Sequence, residues 1–189
     1  MTAAFAIRIA IVLSTFLLDD AKAPGLRWDG QPVHPGCIAQ LTTDLADRRP
    51  VVAAVDLGGC SHSNRFAGGC EVEGPVLRWR NPDDQGRGYF EYSYVGVLTS
   101  GIHVLRVAES GGGSGIFQSL LFARISESQV LEDGQARVRS MLTLVGSEIL
   151  GDRAQATVSL EGHVVTIRRR EFQGAQGMGP EETIKRVLK

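Results

Sequence analysis

Cysteine and aromatic side chains are both scarce in this chain: there are three cysteines, and aromatics make up 6% of the residues. No two cysteines stand in a C-x-x-C pair, which removes the local motif used by thiol redox enzymes and by most structural zinc sites. There is no G-x-S-x-G elbow to present a serine nucleophile, and no glycine loop leads into Lys-Ser/Thr to cradle nucleotide phosphate. No apolar run approaches the roughly 20 residues that cross a bilayer as a helix. Charge is close to balance, with 20 basic and 21 acidic residues and a net charge of −1. General affinity for nucleic acid or for anionic membranes is therefore not expected.

What is present starts at the N-terminus, MTAAFAIRIAIVLSTFLLDDAKAPG. Arg8, an apolar segment over 9–18 and Ala21-Lys22-Ala23 have the layout of a secretory signal cut after Ala23. The apolar segment is too short for an anchor and stops at Asp19-Asp20. Loss of 1–23 removes two charges of each sign and leaves the balance unchanged. Residues 24–172 read as a single domain, with no stable membrane insertion once the signal is gone. Residues 173–189 read as a Gly-rich linker and a short C-terminal helix, because Pro180, Glu181 and Glu182 suit a helix start and Lys185, Arg186 and Lys189 its end.

Between these ends the sequence alternates. Ala154, Ala156, Val158 and Leu160 interleave with polar residues, and the pattern resumes after Glu161-Gly162, so 154–161 and 163–172 read as a hairpin. The same period recurs at 51–57, 76–80, 89–98, 102–109, 116–125 and 136–146, with CIAQLTT at 37–43 as a weaker strand. Turn residues separate the segments. The fold class expected is all-β: a single antiparallel barrel or sandwich of about eight to nine strands, mostly a meander. IFQSLLFARI is apolar on both faces and reads as a central strand covered on both sides.

Five features could carry chemistry. ESGGGSGIF places Gly111, Gly112, Gly113, Ser114 and Gly115 between two strands; it reads as a hairpin loop or, functionally, a lid at a barrel mouth. Phe90, Tyr92 and Tyr94 recur at i, i+2 and i+4 and share a face; with Trp79 they read as core first and as a ligand platform second. His34, His62, His103 and His163 show no two-ligand spacing beyond an isolated H-x-x-C and C-x-H, so neither metal nor cofactor is expected. Arg168-Arg169-Arg170 reads as a solvated sheet edge rather than a phosphate clamp. DLGGCSHSNRFAGGC places Cys60 and Cys70 beside Ser61 and His62. In an exported chain it reads as a cross-linked turn, with Cys37–Cys60 as the first pairing and Cys60–Cys70 as the alternative.

The functional expectation is an exported, periplasmic or extracellular β-domain that acts as a non-enzymatic binding or accessory module of the cell envelope, its partner an unknown protein or a small apolar ligand. One alternative is a carrier with an apolar barrel cavity near Trp79, Phe90 and Tyr92. The other is a serine hydrolase using Ser61 or Ser114 with His62 or His103.

Overall fold

Alternation dictates most of the architecture, since each segment of period-2 patterning between 76 and 170 forms a strand. The computed structural model describes residues 25–42, 53–62, 69–80 and 87–189; the expected signal segment lies outside the described residues. The short pieces come first: β1 (Arg27–Trp28), β2 (Gln31–Pro32), α1 (Pro35–Ala39), β3 (Ala54–Asp56), β4 (Glu71–Glu73) and β5 (Val76–Trp79). The longer strands follow: β6 (Tyr89–Val97), β7 (Ile102–Ser110), β8 (Phe117–Glu132), β9 (Gln135–Asp152), β10 (Gln155–Glu161), β11 (Val164–Arg170) and β12 (Glu182–Val187).

The chain is all-β in class, and its main sheet is antiparallel with seven strands in the order β3-β9-β8-β7-β6-β5-β4. Strands β4 to β9 are neighbours in chain order, a meander, and no ladder joins β3 to β4 among the described residues. A second sheet runs β10-β11-β12, and β1 and β2 form a small hairpin of their own.

Parity along β7 and β8 divides the interior into two cores. Leu105, Val107, Leu121 and Ala123 face one way and join Leu77, Phe90, Tyr92 and Leu142, covered by Leu26, Val33, Cys37, Ile38 and Leu41 of the N-terminal segment. Ile102, Val104, Leu120 and Phe122 face the other way and meet Val165 and Ile167 of the second sheet. β8 thus lies between β7 and β9 and is buried on both faces, as its two-sided apolar pattern requires. Gly96 lets Leu160 of β10 pack close to β6: it sits at a bulge in β6, and a Cβ there would come within 2.9 Å of Leu160 Cδ1.

Three expectations are corrected. The strand expected over 37–43 is absent from its described part, 37–42; α1 starts at Pro35, whose fixed φ suits a first turn, and His34 caps it by accepting the Gly36 N–H at Nδ1, 3.0 Å away. The C-terminal segment is not a helix but β12, which completes the open edge of β11 from Val164↔Val187 to Arg169↔Glu182. Ile184 and Leu188 satisfy both a helical and an alternating pattern, and the core contact decides between them: both pack against the second core, while Val187 is 62% exposed. The triple arginine is not on a sheet edge either, because β11 is the middle strand of its sheet.

Candidate functional site

The disulfide joins Cys37 to Cys60, and Cys70 is free, so of the two pairings considered the structure has the first. The geometry differs from a simple hairpin. α1 lies on the face of the main sheet, and the π-helical turn Gly58–His62 that follows β3 carries Cys60 up to it. Asp56 Oδ1 accepts the Gly58 N–H at 3.0 Å, which shapes the start of that turn, and Gln40 Nε2 reaches the Cys60 sulfur at 3.5 Å. Cys37 and Cys60 are both buried, so the cross-link belongs to the first core.

The aromatic row is core. Tyr92 is 1% exposed and its hydroxyl donates to the Val33 carbonyl at 2.6 Å, which ties the N-terminal segment to β6; burial holds its pKa well above the usual tyrosine value. Phe90 is buried, Tyr94 and Trp79 pack against the same cluster, and the Tyr94 hydroxyl lies 3.1 Å from His103 Nδ1. His34 meets the Trp79 ring edge-on with centroids 5.9 Å apart. An apolar cavity of about 100 Å³ opens beside this row, lined by Leu41, Phe90, Val107, Phe117, Leu121 and Ile149 among others. Pockets for drug-sized ligands run roughly 300–1,000 Å³.

The glycine loop turns from β7 to β8 at the end of the main sheet. Gly112 has φ +86 and its missing Cβ would lie 2.7 Å from Arg87 Cβ, so glycine is required for that close pass. None of Gly111, Gly112, Gly113, Ser114 or Gly115 lines the apolar cavity or either of the two clefts beside Arg106. Ser114 and His103 are not brought together: His103 and Ser110 stand at opposite ends of β7, about 20 Å apart at strand rise, and Ser114 lies beyond Ser110. The side chains of Ser61 and His62 lie outside the described residues.

Two features escaped the sequence reading. One is the far end of the β8–β9 hairpin. β7 pairs with β8 only as far as Arg124, and β3 pairs with β9 only over Met141–Thr143, yet the β8–β9 ladder continues from Glu127↔Ser140 to Glu132↔Gln135. This two-stranded arm reaches about 20 Å past its neighbours and closes on Asp133-Gly134, both with positive φ, as a two-residue hairpin turn. Arg139 braces its root, bonding Asp56 at 2.8 Å and Glu132 at 2.7 Å. Leu131 and Val138 are 79% and 61% exposed on one side of the arm.

The other is Arg106, a charge set between Leu105 and Val107 in the segment IHVLRVAE. It shares a face with Ile102 and Val104, and that parity was the available signal. Its guanidinium donates to the Ala156 carbonyl at 3.2 Å, the Ala154 carbonyl at 3.4 Å and Gln118 Oε1 at 2.6 Å. It lines two clefts, of about 570 and 540 Å³. In the first, Arg78 is already held by Glu91 at 2.6 Å and Glu73 at 3.5 Å and lies over the Tyr89 ring. No protein-family model, curated protein or solved structure matches this chain.

Burial holds the pKa of both His34 and His103 below the ordinary histidine value of 6.5. The folded chain therefore binds fewer protons at these rings than the unfolded chain does, and their contribution to stability is full above that value and lost as pH falls below it. The thermal midpoint should fall between pH 7.5 and pH 5. His34→Asn, which keeps an acceptor for the Gly36 N–H but does not titrate, should fall less over the same interval; an equal fall in both proteins would remove His34 from the account.

Proposed function

We propose that the protein is an exported, disulfide-stapled β-domain that serves as a non-enzymatic binding module, and that it engages a partner polypeptide along the β8–β9 arm. The carrying observation is the arm itself, six residue pairs long from Glu127↔Ser140 to Glu132↔Gln135, with no strand beyond either edge among the described residues. Its unpaired N–H and C=O groups are the chemistry that takes up an extended segment of another chain, and Leu131 and Val138 add apolar contact.

The Cys37–Cys60 bond supports export, since such bonds persist in oxidising compartments. The seven-stranded and three-stranded sheets packed about the second core support a layered sandwich over a closed barrel. A carrier has less support, because the apolar cavity is several-fold smaller than pockets that enclose such ligands.

A photo-reactive amino acid at Leu131, in the organism that makes the protein, should cross-link to a discrete partner, whereas the same probe at Glu161 on β10 should not. Absence of cross-links from Leu131, Val138 and Gln129 alike would overturn the arm as the binding surface. Recovery of a chain starting at Pro24 from outside the cytoplasm tests the export half on its own.

A further inference from the structure

We infer that the cleft between Arg106 of the main sheet and Arg168 and Arg170 of β11 is a binding site for a doubly charged oxyanion of the phosphoryl type. The cleft is about 540 Å³ and is lined by Arg106, Gln155, Thr157, Arg168, Arg170 and Glu181. Arg168 and Arg170 are two residues apart on one strand and so share a face; Thr157 stands in register with Arg168 and Gln155 with Arg170. The wall thus offers guanidinium forks beside a hydroxyl and an amide, the donor set that oxyanions accept from.

Three arginines against the one carboxylate of Glu181 leave two positive charges uncompensated in the cleft. The three guanidinium groups are committed to different degrees. Arg168 makes no hydrogen bond or ion pair among the described residues, and Arg170 uses only Nε, on the Gly179 carbonyl at 2.9 Å. Arg106 spends its terminal nitrogens on two carbonyls and an amide, all neutral, and among the described residues has no carboxylate bonded to it. A half-buried cation without a bonded counterion is costly to maintain. Burial accordingly lowers the Arg106 pKa, with Glu91 opposing the shift from a distance. Glu91 is itself bonded to Arg78, so the neighbouring cleft is locally neutralised and this one is not. A dianion matches the surplus in both sign and number; a monocarboxylate would match half of it.

The test uses the full mature chain and inorganic phosphate, with sodium chloride at equal ionic strength as the blank and malonate as the carboxylate comparison. Phosphate should raise the thermal midpoint and shift the Arg168 and Arg170 side-chain resonances, with saturation in the millimolar range. Arg168→Gln/Arg170→Gln, both at exposed positions, should fold normally and weaken phosphate binding at least tenfold. Lys185→Gln removes a charge from the same outer face outside the cleft and should leave binding unchanged. An equal loss in Lys185→Gln would reduce the effect to surface charge and overturn the site, as would a phosphate response no larger than that of chloride. Malonate binding more tightly than phosphate would reassign the ligand to dicarboxylates. None of these readouts involves the arm, so this site and the arm stand or fall separately.

Discussion

Replacing both Cys37 and Cys60 by serine should destabilise the domain by about 3 kcal/mol, the figure expected for the unfolded-state constraint that a cross-link across 23 positions imposes. A single Cys60→Ser change breaks the same cross-link and should cost a similar amount, because the Cys37 thiol it leaves in a fully buried position behaves as a small hydrophobe. Urea unfolding with and without reductant reads the effect directly. Loss of less than 1 kcal/mol would mean that the first core holds α1 without the bond. A thiol assay on denatured protein should count one reactive group before reduction, Cys70, and three after.

The second large effect lies on the opposite face of the main sheet. Phe122 is 2% exposed, and truncation to alanine should cost about 3–5 kcal/mol through lost transfer energy and the cavity left behind. Both tryptophans of the chain, Trp28 and Trp79, pack against the first core and so report on the half of the molecule that Phe122 does not touch. Leu120 and Leu121 are adjacent on β8 and point into different cores, a linkage that should make the halves unfold together. The tryptophan fluorescence transition of Phe122→Ala should therefore shift as far as its far-UV circular dichroism transition. A shift in circular dichroism alone would show two independently unfolding halves.

Where burial alternated with exposure, the strands were legible in the sequence, and β8 was legible even as a strand buried on both sides. The failures have local causes. α1 is only five residues long, too short for helical periodicity to register, and its evidence was a single Pro and a histidine cap. In β12, Ile184 and Leu188 fit two periods at once, and only the vacant edge of β11 resolves them. The disulfide was legible as a pair but not as a geometry, because the route to Cys60 passes through a π-helical turn that no simple pattern encodes. Arg106 could be seen as an oddity within an apolar strand, but the two carbonyls it bonds lie about 50 residues away, at and just before the start of β10. The arm was not legible: the alternating segments 116–125 and 136–146 fall short of β8 and β9, which run on to Glu132 and from Gln135 to Asp152, and protrusion depends further on where β7 and β3 end.

Arg106 has one more consequence, for behaviour at high concentration. The carbonyls of Ala154, just before β10, and Ala156 within it are two residues apart, hence on the same side of the chain, and that side of β10 has no neighbouring strand in its sheet among the described residues. Left bare, such a border recruits other copies into continuous sheets. A cation from the opposite sheet occupies it instead, so colloidal stability in this molecule is delegated to a side chain about 50 positions away in the chain rather than to charges on the strand at risk.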